Sequence, residues 1–168
     1  MKTKKIEVPY FLNKINNHSN IKEYYLDKIK SLPKNKYGNI FNTDWTIKTA
    51  INYSFFLDQI KEHLDHMKEV LRAKECIVDN IWFQQYVKNN FHGWHTHGQT
   101  NYTNVYFLEL EDQEYKTEVY NVLSDKTINI NSSEGQLLSF PAFMIHRSPV
   151  IKKDIRKTII AFNISFIK

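Results

Sequence analysis

Histidines are concentrated in one short stretch of the chain, FHGWHTH at residues 91–97, which holds three of the seven. Successive side chains of a β-strand point to opposite faces, so residues two apart share a face. His95 and His97 are therefore expected to point at one location, and His92 is expected to face the other way. A His-x-His pair on one strand offers two nitrogen ligands of the kind that iron, zinc and copper accept.

A third histidine follows about fifty residues later, in GQLLSFPAFMIHRSP at residues 135–149. This segment predicts a strand that ends at Phe140 and Pro141, followed by a short loop that delivers His146. A sheet that folds back on itself can bring such a residue to a two-ligand pair. We therefore expect His146 to complete a three-histidine site with His95 and His97.

A possible carboxylate-binding pair opens the last long apolar segment of the chain, Arg156-Lys157-Thr158, ten residues after His146. In a strand, Arg156 and Thr158 share one face. A guanidinium binds a carboxylate through two parallel hydrogen bonds, and a neighbouring hydroxyl adds another. The chain has only three arginines, so one at this point is unusual; the alternative is a surface arginine where a strand begins.

The first part of the chain predicts helices. Apolar residues at spacings of three and four predict an amphipathic helix over residues 21–32, ended by Pro33, and a second helix over about 50–73. His63 and His66 lie three residues apart on the second helix. A metal-binding pair is one interpretation of them, although solvated or half-buried histidines are the more common case.

After Cys76 the sequence predicts strands. The segments are short, rich in β-branched or aromatic residues, and many are separated by turn-forming residues. They are IWFQQYV at 81–87, NYTNVYFLEL at 101–110, KTEVYNVL at 116–123, KTINI at 126–130, GQLLSF at 135–140 and RKTIIAFNISF at 156–166. Two helices followed by six or more closely spaced strands predict helices packed on a β-sandwich or barrel.

Composition limits the class of protein. A chain of 168 residues, 42% of them hydrophobic, fits one globular domain with a real core. No apolar run is long enough to cross a bilayer, and the start of the chain lacks the apolar region of a secretory signal, so we expect no membrane partner. The single cysteine, Cys76, excludes an internal disulfide and suits a reducing cytoplasm.

The net charge of +5 raises the question of nucleic-acid binding. The lysines are spread along the chain, and the only local concentrations are KTKK at 2–5 and IKKDIRK at 151–157. An evenly solvated surface explains this distribution better than a phosphate-binding stripe, but it does not exclude nucleic acid as a partner.

The order of motifs resembles a known family. His-x-His, then FPxFxxH, then Arg-x-Thr ten residues on is similar to the iron(II)/2-oxoglutarate-dependent oxygenases, in particular to small ones encoded by bacteriophages and bacteria. The more distant prolyl 4-hydroxylase branch has a tyrosine nine residues before its first histidine ligand and an acid two residues after it. Tyr86 and His95 match the first two positions, and His97 stands where that branch has aspartate.

The resemblance implies an α+β protein in which a double-stranded β-helix, or jelly roll, spans about residues 76–168. Residues up to about 75 would form the supporting helices. It also implies a site for Fe(II), 2-oxoglutarate as small-molecule co-substrate, and O₂. His95, His97 and His146 would be the metal ligands, with His97 in the place of the acid.

The resemblance further assigns the co-substrate contacts. Arg156, helped by Thr158, would hold the distal carboxylate of 2-oxoglutarate, and Tyr86 would hydrogen-bond it. The expected activity is that of a dioxygenase, a hydroxylase whose primary substrate the sequence does not identify. The expected location is the cytoplasm, which is the host cytoplasm if a phage encodes the protein.

Two other interpretations stay open because the usual ligand set contains a carboxylate and this one does not. The first is a metal-dependent jelly-roll enzyme that does not use 2-oxoglutarate, since three histidines also suit zinc. The second is a non-catalytic, ligand-binding jelly-roll module. The Arg156 and Thr158 pair argues against both, since a metal site alone needs no carboxylate clamp.

Overall fold

A computed structural model describes residues 8–47 and 51–168. The lysine-rich segment 2–5 and the first residue of the helix predicted over 50–73 lie outside these ranges. The helices are α1 His18–Ser31, α2 Ser54–Gln59 and α3 Lys61–Val70. The strands are β1 Phe11–Lys14, β2 Asn42–Thr43, β3 Glu75–Tyr86, β4 His92–His95, β5 Tyr102–Leu110, β6 Glu118–Asn121, β7 Lys126–Ile128, β8 Gln136–Pro141, β9 His146–Ser148 and β10 Lys157–Ile167.

The strands form two antiparallel sheets. The larger has the order β1-β8-β5-β10-β3-β2, and the smaller has the order β4-β9-β6-β7. Apolar side chains from both sheets, such as Phe107, Val119 and Phe140, belong to one buried cluster. The protein is therefore mostly antiparallel β-structure with a core between two sheets and few helices.

The opposite face of the larger sheet is covered by the helices. Ile160 and Phe162 of β10 pack in a second cluster with Tyr25 of α1, Phe56 of α2 and Met67 of α3. The intervening residues of β10 belong to the cluster between the sheets. Because both faces of this strand are covered, its residues 157–164 are all buried.

The predicted helices are present with changed bounds. The helix predicted over 21–32 begins earlier, at His18, and ends at Ser31, before Pro33. The helix predicted over about 50–73 is two helices, because Ile60 has φ −101° and ψ 5° and so interrupts the α-helical backbone. Each of the six predicted strand segments overlaps an observed strand.

Strands also occur before residue 75, where only helical support is predicted. β1 pairs with β8, and β2 pairs with β3, so the first part of the chain supplies both edges of the larger sheet. The proposed division near residue 75 is therefore not a boundary between a helical layer and a sheet. Within the two described ranges, no helix has the length and apolar character needed to cross a membrane.

Candidate metal centre

Three histidines meet where the smaller sheet begins. β4 runs antiparallel to β9, which places His95 directly opposite His146. His97 follows the end of β4, and its backbone N–H donates to the carbonyl of Ala142 at 2.9 Å. One potential ligand atom from each of His95, His97 and His146 lies within 4.8 Å of the others. The structure thus brings together the three histidines that the sequence predicts as ligands.

Hydrogen bonds to the backbone select the tautomer of two of these rings. His95 Nδ1 lies 2.7 Å from the carbonyl oxygen of Gly93, and His146 Nδ1 lies 2.9 Å from that of Met144. A carbonyl oxygen only accepts, so Nδ1 carries the proton in each ring. The Nε2 lone pairs are then free, which is the arrangement found in metal-binding histidines. The residues present fit a metal ion.

Burial keeps these imidazoles in the neutral form that a metal requires. It lowers the pKa of His146 to about 3 and that of His97 to about 4, where the neighbouring His95 adds to the effect. Burial also lowers the pKa of His95. At neutral pH the three rings carry no charge, so no proton has to leave before they coordinate a cation.

His92 lies with these three histidines, and the prediction that it faces the other way is wrong. The His92 and His95 rings stack with centroids 3.9 Å apart and planes 24° apart. The register of β4 on β9 shifts between these two residues. Such an irregularity lets the His92 side chain point to the same face as His95, whereas strict alternation would place it on the opposite face.

The structure does not place Arg156 and Thr158 with the histidines, although the resemblance assigns both residues to the co-substrate. Arg156 donates from Nε and Nη2 to the two carboxylate oxygens of Glu109, at 2.9 and 2.7 Å, and the Thr158 hydroxyl donates to the same carboxylate. Thr158 shares the face of β10 that carries Ile160 and Phe162, which pack on the helices. The guanidinium fork is therefore engaged within the protein, on the far side of the larger sheet.

Lys157, which sequence reasoning missed, lies on the cavity side of β10. Its side chain is fully buried, Nζ donates to Ser148 Oγ at 2.9 Å, and Nζ lies 5.4 Å from the centre of the Tyr86 ring. No carboxylate of the described residues forms an ion pair with it. Burial lowers the pKa of Lys157 to about 7, although Glu118 acts in the opposite direction.

The sequence contains one signal for Lys157, its position directly after Arg156. Strand alternation assigns the two residues to opposite faces, but it does not say which face is interior. The residues that follow in β10 are apolar on both faces. The apolar pattern therefore could not decide between Arg156 and Lys157.

Tyr86, which the resemblance assigns to the co-substrate, lies in the wall of the histidine cavity. Its ring is fully buried, and its hydroxyl donates to Gln84 Oε1 at 2.6 Å. Ser148 and Thr117 line the same cavity. Hydroxyl groups therefore line the part of the cavity wall that Lys157 contacts.

The two histidines of the other predicted pair, His63 and His66, have different surroundings. His63 is buried, and its Nε2 lies 2.9 Å from Ser139 Oγ. His66 is exposed on α3. Cys76 is half-buried, and burial raises the pKa of its thiol to about 11, so it is a weak nucleophile at neutral pH.

The histidines open on their outer side into a cavity of about 350 Å³. Apart from the histidines, its lining is aromatic, aliphatic or neutral polar, and it includes Tyr37, Ile40, Trp45, Trp82, Gln84 and Asn163. Charged residues make up 24% of the chain, yet none of those that the structure describes lines this opening. The described lining of the mouth is thus neutral, whereas a buried lysine, Lys157, contacts Ser148 and Tyr86 of the inner cavity wall.

The fold is similar to that of several solved oxygenases. An oxidoreductase of the 2OG-Fe(II) oxygenase family from Burkholderia pseudomallei has a TM-score of 0.71 at 10% identity, over 93% of this chain and 84% of that one. The viral collagen prolyl hydroxylase of Paramecium Bursaria Chlorella virus-1, in its 2OG complex, has a TM-score of 0.67 at 12% identity, over 95% and 96%.

A third structure is HygX from Streptomyces hygroscopicus with nickel and 2-oxoglutarate bound, with a TM-score of 0.69 at 9% identity, over 94% of this chain and 83% of that one. No protein-family model and no curated protein matches the sequence. At these identities the likeness establishes the fold. The resemblance seen in the sequence is therefore confirmed at that level.

Proposed function

We propose that this protein is an Fe(II)- and 2-oxoglutarate-dependent oxygenase, most simply a hydroxylase, whose two sheets form the double-stranded β-helix of that class. One observation carries the proposal. A cluster of three neutral histidines lines a cavity, and Lys157, a buried lysine with no carboxylate partner among the described residues, lies behind Tyr86 and Ser148 of the same cavity wall. A metal-chelating dicarboxylate matches both features at once.

His95, His97 and His146 would hold the metal through one nitrogen each. Three protein ligands leave coordination positions for a chelating oxo acid and for O₂. When bound, Fe(II) and 2-oxoglutarate supply the O₂-activating chemistry that hydroxylates a C–H bond while 2-oxoglutarate is oxidised to succinate and CO₂. The backbone carbonyls of Gly93 and Met144 would hold His95 and His146 in the ligating tautomer.

Lys157 would bind the distal carboxylate of 2-oxoglutarate, the role that the family resemblance assigns to Arg156. A buried ammonium group without a counter-ion is costly, which is why its pKa falls to about 7. A carboxylate beside it would offset that cost and favour the charged form. The hydroxyl groups of Tyr86 and Ser148 would complete the polar end of the cavity.

The absence of a carboxylate ligand favours one rival, a metal-dependent enzyme of this fold that does not use 2-oxoglutarate. Three neutral ligands leave the full 2+ charge on the metal and suit zinc as well as iron. A non-catalytic ligand-binding module is the other alternative. Lys157 argues against the metal-only reading, because that chemistry gives no reason to bury an unpaired cation nearby.

The names of the similar structures support hydroxylation as the reaction. One is a collagen prolyl hydroxylase in a 2OG complex, and another was solved with nickel and 2-oxoglutarate bound. The primary substrate of this protein would enter through the neutral mouth beside Tyr37 and Trp45. That lining favours an uncharged group over an anionic one, and a cytoplasmic location suits the free cysteine Cys76.

Anaerobic titration with Fe(II) followed by 2-oxoglutarate tests the proposal. We expect a weak visible charge-transfer band that needs both additions and reaches its plateau at one equivalent of each. Zinc in place of iron is the control and should give no band. Stoichiometric metal binding without the 2-oxoglutarate-dependent band would favour the metal-only enzyme, and no metal binding would favour the ligand-binding module.

A further inference from the structure

His92 lines the same cavity as the three proposed ligands without belonging to the ligand group. Among residues 8–47 and 51–168, His95, His97 and His146 form the one group of three whose ligand atoms all lie within 4.8 Å of one another. The His92 ring instead lies parallel to that of His95. It borders both the inner cavity and the neutral mouth.

The ring nitrogens of His92 are available to a ligand. His95 and His146 each use one ring nitrogen to donate to a backbone carbonyl, and buried His63 bonds to Ser139. Within the part of the chain that the structure describes, no protein group hydrogen-bonds the His92 ring. A neutral imidazole carries one N–H and one lone pair, and beside a cavity both can serve a bound molecule.

The position of His92 links the two ends of the site. It lies directly across from Ser148 in the pairing of β4 with β9, and Ser148 Oγ accepts from Lys157 Nζ at 2.9 Å. On its other side it contacts His95. A molecule that reaches from the metal ligands to Lys157 therefore has the His92 ring beside its path.

We infer that His92 is a co-substrate-binding residue whose ring N–H donates a hydrogen bond to the 2-oxo-carboxylate end of 2-oxoglutarate. This inference rests on the proposed function and adds a recognition element to it. A hydrogen bond to a carboxylate is stronger than one between neutral groups, and a site shielded from water strengthens it further. Unlike Lys157, a neutral His92 recognises the 2-oxo acid without adding charge beside the metal.

Calorimetry on Ni(II)-loaded protein tests this role without turnover. His92→Phe keeps an aromatic ring against His95 and removes the N–H, and His92→Gln keeps a donor. We expect 2-oxoglutarate affinity to fall by roughly 10-fold or more in His92→Phe, and by less in His92→Gln. Ni(II) affinity should stay within about 3-fold of wild type in both variants, because His92 is not a ligand.

His66→Phe is the matched control, since His66 is exposed on α3, and it should bind Ni(II) and 2-oxoglutarate as wild type does. Wild-type 2-oxoglutarate affinity in His92→Phe would overturn the inference and leave the proposed function intact. Loss of Ni(II) binding in His92→Phe would also overturn it, because His92 would then act on the metal. If wild-type protein bound Ni(II) but not 2-oxoglutarate, the proposed function itself would fail.

Discussion

Arg156 and Lys157 are consecutive cations on β10 with opposite surroundings. Arg156 is half exposed and donates two hydrogen bonds to Glu109, whose side chain is almost fully buried. Lys157 is fully buried, and its ammonium group is held by the hydroxyl of Ser148 and the ring of Tyr86. Arg156 has an anionic partner within the protein, and Lys157 has none among the described residues.

This difference indicates that Arg156 stabilises the fold and that Lys157 is available to bind a ligand. A guanidinium already bonded through its fork to a carboxylate has little left to offer a second carboxylate. An unpaired ammonium in a cavity lowers the stability of the folded chain and is retained where it has a task. We therefore assign Arg156 a role in stabilising the larger sheet and Lys157 a role in binding the co-substrate.

The largest expected effect is on metal binding. If Lys157 binds the distal carboxylate of 2-oxoglutarate, a metal ion must bind the 2-oxo-carboxylate at the other end of that molecule. His146→Ala removes one of three proposed ligands and should weaken divalent metal binding by at least roughly 1000-fold. Equilibrium dialysis followed by metal analysis measures it. His66→Ala, an exposed histidine outside the cavity, should bind metal as wild type does; equal retention by His146→Ala would remove that residue from the site.

The next effect separates the two cations directly. Lys157→Met should lower the affinity of the metal-loaded protein for 2-oxoglutarate by about 2–4 kcal/mol, the usual result of removing one partner of a buried charge pair. Arg156→Met should change that affinity by less than about 3-fold, because its guanidinium faces Glu109. Calorimetry on both variants decides the matter. The reverse ranking would restore Arg156 as the clamp.

A third effect appears in the pH dependence of stability. Burial lowers the pKa of Lys157 to about 7, against about 10.4 in the unfolded chain. Between these values the unfolded state binds more protons than the folded state, so the free energy of unfolding rises with pH. From pH 7 to 9 this group should add about 2 kcal/mol.

Urea unfolding of the metal-free protein at pH 7, 8 and 9 measures this rise. Lys157→Met should lack it and Arg156→Met should keep it. Identical pH dependence in wild type and Lys157→Met would mean that the lysine is solvated in solution, and the contrast between the two cations would then disappear.

The smallest effect is on stability at fixed pH, where the two substitutions should differ in sign. Arg156→Met leaves the buried carboxylate of Glu109 with Thr158 alone and should cost about 1–2 kcal/mol. Lys157→Met replaces a buried, unpaired cation with an apolar side chain and should be neutral or stabilising at pH 7. Urea unfolding of both variants compares them. Equal destabilisation would show that both cations have structural partners.

Much of the site could be predicted because its information is local. The sequence shows a His-x-His pair, His95 and His97, and a third histidine, His146, after a strand that ends at Pro141. The structure places these three histidines together. Apolar patterning likewise predicted six segments that each overlap an observed strand, and helices whose bounds the structure changes. These features depend on neighbours along the chain, so the sequence alone determined them.

The co-substrate end of the site was decided by tertiary structure. Both faces of β10 are buried, so apolar residues fall on each of them, and no polar–apolar alternation marks the face that looks into the cavity. The same holds for His92, which a register shift between β4 and β9 turns toward the metal ligands. Which of two alternating side chains faces inward is set by the sheet and helices that cover the strand, and these come from distant parts of the sequence.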